Sequence, residues 1–277
     1  MITSAPSKAE PSTAYRVSTV ALICAATIPL LSVPSLKWLG WLLIGICLLL
    51  LLPVVRSQFT RHMAIIIGML MLLGLIPINT DISYIHMLSM GAVLIATVAL
   101  PYVITAYGYK ENIITLPFRF KRKWHKKEIA YVFFAGSMAY LLLPYYLYST
   151  GSYLNWNVTL DTSSIIRLFV GTNGLGIWDE LFFVGICLTL LRSHLPFIWA
   201  NLAQATLWTA FLFELGFQGW GPFVIFFFAI TQGIIFKNSK SLLYIITVHL
   251  TIDFILFLTL IHLHYPHLLR IFITSPF

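Results

Sequence analysis

Trp178-Asp179-Glu180-Leu181-Phe182-Phe183 places two adjacent carboxylates inside a long apolar run. Two strongly apolar segments follow it, and the apolar segment after those two carries Val248-His249-Leu250-Thr251-Ile252-Asp253. A titratable group in hydrocarbon is costly, so such groups usually face the interior of a helix bundle or a wet cavity. The candidate site therefore consists of the four titratable side chains in these two stretches: Asp179, Glu180, His249 and Asp253.

The composition around these stretches is that of a membrane protein. The 277 residues are 59% hydrophobic and only 9% charged. A membrane-spanning helix needs about 20 mostly apolar residues. No polar stretch is long enough to bury a core of its own, so we predict an all-α polytopic integral membrane protein. Its approximate apolar segments are 17–34, 38–55, 63–79, 85–107, 129–149, 163–191, 197–216, 220–236 and 241–263.

The number of spans depends on the first two segments, because only residues 34–37 separate them. They form either two spans or one re-entrant hairpin. The prediction is therefore about eight or nine transmembrane helices.

The basic residues predict the orientation of the chain. Nine spans with a cytoplasmic N-terminus leave all but three of the 17 Lys and Arg residues in cytoplasmic regions, as the positive-inside rule requires. We therefore predict a cytoplasmic N-terminus and an outside C-terminus in a bacterial inner membrane. The net charge of +8 is explained by this topology. The predicted partner is membrane lipid, and no nucleic-acid partner is predicted.

The four candidate residues lie at similar depth. With a helical rise of 1.5 Å per residue, Glu180, His249 and Asp253 lie roughly 16, 12 and 18 Å from the cytoplasmic ends of their helices. His249 and Asp253 are four residues apart and share one helix face. Asp179 and Glu180 diverge by about 100°, so at most one of them is expected to point squarely at a shared site.

These side-chain types can perform hydrolysis. A carboxylate can act as a general base on water, and an imidazole can donate a hydrogen bond to a developing oxyanion. The alternative is structural, because membrane carboxylates also form hydrogen bonds between helices. No ligand spacing specific to a metal is present. The prediction is no cofactor and no metal.

The ordered residues resemble the CPBP family of intramembrane proteases, which includes CAAX prenyl endopeptidases and bacteriocin-processing or immunity-type proteins. The resemblance covers approximately residues 163–263. The family pattern is Glu-Glu-x-x-x-Arg, then Phe-x-x-x-His, then His-x-x-x-Asn/Asp. This chain supplies Asp179-Glu180 for the first motif and His249-x-x-x-Asp253 for the third. The resemblance implies that Asp179 is the base, Glu180 a supporting carboxylate, and His249 with Asp253 the oxyanion side.

The chain also departs from the family pattern. Asp replaces the first Glu, and Val184 stands at the arginine position. Trp208 occupies the Phe position of the second motif, and Leu212 stands where the pattern has histidine. The resemblance therefore leaves the second-motif histidine without a counterpart.

Three functions follow from this reading. The first is a CPBP-type endopeptidase, a glutamic-type intramembrane hydrolase that cleaves a peptide or membrane-anchored protein with carboxylate-activated water. The second is an inactive pseudoprotease that serves as a membrane scaffold, chaperone or immunity factor. The third is a proton-coupled transporter, which the lack of a visible internal repeat disfavours.

The predicted organisation has four parts. They are a cytoplasmic N-terminal tail at 1–16, accessory transmembrane helices at 17–162 with a basic cytoplasmic loop at 108–128, a CPBP-like core at 163–263, and a C-terminal tail at 264–277.

Overall fold

The computed structural model describes residues 10–275, and these residues form helices and connecting segments without strands. This confirms the predicted all-α class. The predicted tails fall partly outside the described residues, at 1–9 and 276–277. The nine long helices of the described chain are α1 Thr13–Leu31, α2 Lys37–Leu51, α3 Gln58–Gly74, α4 Tyr84–Val103, α5 Lys126–Thr150, α6 Thr162–Arg192, α7 Phe197–Glu214, α8 Gly221–Ser239 and α9 Leu242–His264.

Within residues 10–275, seven of the nine helices are long and apolar enough to cross a membrane. The two that fall short are α3 and α7. The protein is therefore a polytopic membrane protein, as predicted. The α3 helix has only 17 residues. The α7 helix contains Asn201, Gln204 and Glu214, which make it more polar than its neighbours.

Local capping sets many of the helix boundaries. At the start of α6, the Asp161 carboxylate accepts a hydrogen bond from the Ser164 N–H at 2.9 Å. A side-chain oxygen in this position satisfies one of the free N–H groups of the first turn. The α5 helix ends at Gly151, whose φ of 68° is left-handed and favours glycine. Serine side chains cap α1, α3, α4 and α9, namely Ser12, Ser57, Ser83 and Ser241.

The outer surface of the bundle is strongly apolar. Ile85 is 84% exposed, Leu88 is 74% exposed and Phe133 is 72% exposed. Exposed large apolar side chains of this kind are typical of a membrane-facing surface. Inside, aromatic rings from α6 and α7 pack together at centroid distances of 4.7 to 5.5 Å. This buried layer holds the two helices in a fixed relation beside the candidate site: Trp178, Phe182, Phe183, Trp208 and Phe211.

A chain of polar groups joins four parts of the protein at one end of the bundle. His62 on α3 lies 2.8 Å through Nε2 from Glu111 Oε2 and 2.8 Å through Nδ1 from His194 Nε2. Glu111 also pairs with Arg61 at 3.2 Å, and Arg16 on α1 donates to the His194 carbonyl at 3.4 Å. These contacts connect α1, α3, the 109–125 segment and the α6–α7 turn.

Acid is expected to weaken this junction. Burial, together with the neighbouring His62 and Arg16, lowers the pKa of His194 to about 4. Burial raises the pKa of Glu111, but hydrogen bonds from His62 and Gln58 outweigh it and leave that pKa below its usual value. Between pH 6.5 and 4, His194 is protonated in the unfolded chain but stays neutral in the folded protein. The free energy of unfolding therefore decreases as the pH is lowered through this window.

The measurement is the thermal unfolding midpoint of the full chain in detergent micelles across that window. His194→Gln is expected to flatten the dependence on pH, because the glutamine does not titrate. The exposed His125 provides the control, since His125→Gln should retain the wild-type slope. Equal slopes for His194→Gln and the wild type would contradict the assignment.

Candidate active site

The α6 helix changes its winding where the candidate site begins. It is α-helical up to Asp179, and residues Glu180–Leu188 form a π-helix before the last α-helical turn. Such wide turns are uncommon and occur often at functional sites. Asp179 is 1% exposed and Glu180 is fully buried. The change of winding therefore coincides with the two buried carboxylates.

Glu180 is held by side chains from two other helices. Its Oε1 atom lies 3.1 Å from His249 Nδ1 on α9 and accepts a hydrogen bond from Gln232 Nε2 on α8 at 2.5 Å. On the other edge of the imidazole, His249 Nε2 lies 3.6 Å from Asp253 Oδ1. The His249 ring thus lies between two carboxylates.

A cavity of about 230 Å³ opens beside this arrangement. Asp179, His249 and Asp253 line it, together with Leu212 and mostly apolar side chains of α5, α8 and α9. Three buried carboxylate oxygens have no hydrogen-bond partner among the described residues: Asp179 Oδ1, Glu180 Oε2 and Asp253 Oδ2. Leaving a buried acceptor unpaired costs about 1–3 kcal/mol. Asp179 and Asp253 line the cavity, so their unpaired oxygens are available to a molecule that enters it.

All four sequence-predicted residues meet around this cavity. His249 and Asp253 both line it, from one face of α9. Asp179 lines the cavity, whereas Glu180 reaches His249 from beside it. The two adjacent carboxylates point in different directions, as neighbours on a helix do. Asp179 faces the cavity and Glu180 contacts the imidazole of His249.

The departures from the CPBP pattern surround the same site. Leu212 lines the cavity with Asp179 and His249, so the place of the second-motif histidine is apolar. The Trp208 ring is tilted against His249 at a centroid distance of 5.5 Å and stacks on Phe183. Val184, at the arginine position, is fully buried in the π-helical segment.

The site includes two further residues, Gln232 and Gly176, that the sequence analysis did not identify. Gln232 donates a hydrogen bond that fixes Glu180. Gly176 lies one turn before Asp179, where a Cβ atom would overlap the Asp253 carboxylate and lie 3.3 Å from His249 Cδ2. Glycine therefore lets α6 and α9 approach closely. A small residue one turn from a membrane carboxylate was the available signal.

The fold and this enclosed site define a polytopic helical membrane protein whose polar centre is assembled by α6, α8 and α9. Residues 161–255, about a third of the chain, match the family model described as Type II CAAX prenyl endopeptidase Rce1-like. The match confirms the predicted CPBP resemblance over this range, which includes all four candidate residues. It supports a CPBP-type intramembrane protease or a related protein. No curated protein and no solved structure gives a significant match to the chain.

Proposed function

We propose that this protein is an intramembrane endopeptidase that hydrolyses a peptide or a membrane-anchored protein. The observation that carries the proposal is the Glu180–His249 contact of 3.1 Å at the wall of a cavity lined by Asp179 and Asp253. Buried titratable groups that converge in a cleft are typical of active sites. The family match over the same residues points to the same chemistry.

Asp179 is the proposed general base, because it lines the cavity and its Oδ1 atom has no partner among the described residues. It takes a proton from water while the water oxygen bonds to the carbonyl carbon of the substrate. The carbonyl oxygen then carries the negative charge. When the carbon–nitrogen bond breaks, the proton passes from Asp179 to the leaving amine.

His249 is the proposed donor to this oxyanion. Its Nδ1 faces Glu180 at 3.1 Å, whereas its Nε2 is 3.6 Å from Asp253, beyond hydrogen-bond distance. Nε2 is therefore the ring nitrogen available to the substrate. Glu180 is the positioning residue that orients the imidazole, Gln232 orients Glu180, and Asp253 supplies negative charge beside the other edge of the ring.

The proposal includes the predicted setting of the chain. Residues 163–263 form the catalytic core, residues 17–162 form the accessory helices, and the tails are 1–16 and 264–277. The N-terminus is cytoplasmic, the C-terminus lies outside, and the membrane is a bacterial inner membrane. This orientation is supported by four basic residues that line one pocket and so lie on the same side of the bundle: Arg119, Arg192, Lys237 and Lys240. The positive-inside rule assigns such a side to the cytoplasm.

A second function is favoured by Leu212. A histidine is absent from the cavity position where the family pattern has one, and a missing acid/base partner typically lowers a rate about 10²–10⁴-fold. In this alternative the same cavity binds a transmembrane partner without cleaving it. The protein then acts as a scaffold, chaperone or immunity factor.

The test is cleavage of membrane-anchored reporter peptides by the purified full chain in liposomes prepared in heavy-oxygen water. The wild type is expected to place one heavy oxygen in the new carboxyl group, as hydrolysis requires. Glu180→Gln and His249→Ala are expected to abolish product, because the first removes the carboxylate charge that holds the imidazole and the second removes the imidazole itself. Protein levels should hold, and Glu214→Gln, at the far end of α7, serves as the matched control.

A second measurement tests whether a transmembrane protein that co-purifies with the wild type also co-purifies with Glu180→Gln and His249→Ala. The protease proposal would be overturned if the wild type cleaved no reporter and both variants still bound that partner. That result would establish the scaffold function.

A further inference from the structure

A second cavity lies away from the candidate active site, at the end of the bundle that carries the basic loops. It has a volume of about 300 Å³ and is called the basic pocket below. Its cationic side chains come from three parts of the chain: Arg119 from the 109–125 segment, Arg192 from the end of α6, and Lys237 and Lys240 from the end of α8 and the turn to α9. Thr189 also lines it.

The positive charge of the basic pocket is not balanced locally. None of its lining residues is acidic. Within residues 10–275, the ion pairs of Glu10, Glu111 and Glu128 are formed with Arg or His residues outside the pocket. Like charges held together repel one another, and a bound anion removes that repulsion.

The four cationic residues are exposed, and two of their side chains are held against one aromatic ring. Arg192 Cζ and Lys237 Nζ lie 5.3 Å and 4.4 Å from the centroid of the Phe197 ring. Lys240 adopts a left-handed conformation with φ of 51° and donates its backbone N–H to the Phe236 carbonyl at 2.8 Å. Side chains and backbone that are already ordered lose less entropy when a ligand binds.

We propose that the basic pocket binds a phosphate-bearing anion. Arginine presents several N–H donors that match phosphate oxygens, and lysine adds point charges. The Thr189 hydroxyl supplies a further donor. The phosphate belongs either to the headgroup of an anionic lipid or to a small soluble compound, since both present the same oxygens.

Binding would connect the three helices that build the candidate active site. Glu180 is on α6, Gln232 is on α8 and His249 is on α9, and the basic pocket lies at the ends of α6 and α8, next to the start of α9. The Leu242 N–H at the start of α9 already donates to the Pro117 carbonyl at 3.1 Å. An anion shared by these elements therefore stabilises the bundle through mass action.

The experiment measures the thermal unfolding midpoint of the full chain under two conditions. One is a neutral detergent titrated with inorganic phosphate against chloride at matched ionic strength. The other compares phosphatidylcholine nanodiscs with and without phosphatidylglycerol. Arg192→Gln/Lys237→Gln is expected to need about tenfold more phosphate or anionic lipid for the same shift, because two exposed ionic contacts are lost.

The control variant is Lys121→Gln/Lys123→Gln, which removes the same charge from exposed residues of the basic loop outside the pocket. It should bind like the wild type, and Arg119→Gln should weaken binding without removing a contact to Phe197. Stabilisation by inorganic phosphate identifies a soluble ligand, whereas stabilisation by phosphatidylglycerol alone identifies a headgroup, and either result supports the proposal. Stabilisation no greater than with chloride and with phosphatidylcholine alone, or an equal loss in the control variant, would overturn it.

Discussion

Asp179→Asn is expected to lower the rate of peptide cleavage about 10²–10⁴-fold, the range typical for removal of a general base. The asparagine amide has nearly the same shape as the carboxylate, but it cannot accept a proton from water. Asp179 is 1% exposed and lines the cavity, so the change leaves the surrounding packing in place. The rate is measured with saturating reporter peptide in liposomes, where substrate binding no longer limits it.

Glu214→Gln is the matched control for this prediction. It makes the same carboxylate-to-amide change on α7, but Glu214 does not line the cavity. It should retain the wild-type rate. A normal rate for Asp179→Asn, or an equal loss for both variants, would show that Asp179 is not the base.

Leu212→His is expected to raise the cleavage rate about 10²-fold, the lower end of what an acid/base partner contributes. The new imidazole would enter the cavity that Asp179 and His249 line, at the histidine position of the family pattern. Asp179 Oδ1 has no partner among the described residues, so it can accept the new N–H and orient the ring. The measurement is the initial rate in the same liposome assay.

Leu212→Asn separates acid/base chemistry from polarity. It introduces a polar group at the same position, but its amide does not exchange protons near neutral pH. Its rate should remain close to that of the wild type. If Leu212→His is no faster than Leu212→Asn, the missing histidine does not limit the reaction.

Much of the helical architecture could be predicted because it depends on local sequence. The apolar segment drawn at 129–149 corresponds to α5, Lys126–Thr150, and that at 241–263 corresponds to α9, Leu242–His264. The free-energy cost of placing titratable groups in the membrane was enough to identify the four candidate residues. The spacing of four residues between His249 and Asp253 predicted that these two lie on one helix face. Depth along each helix then predicted that these groups share a layer.

The remaining features depend on contacts between helices, which cannot be predicted from the hydropathy of the sequence. The polarity of Asn201 and Gln204 reflects hydrogen bonds to carbonyls of α8, made at 3.0 Å to Ile230 and at 2.8 Å to Ala229. These contacts explain why α7 is less apolar than a typical span. The roles of Gly176 and Gln232 likewise appear only when α6, α8 and α9 are brought together.

The π-helical segment Glu180–Leu188 limits how this protein can change during evolution. Each residue of an α-helix advances the chain by about 100°, and wide turns place extra residues within a similar rise. They thereby set the rotation of Asp179 relative to Arg192, which faces the basic pocket at the other end of the segment. A substitution here alters one side chain and preserves that rotation. Insertion or deletion of a residue between Glu180 and Leu188 would rotate Asp179 relative to Arg192, so beyond Glu180 itself the length of this stretch is constrained more tightly than its composition.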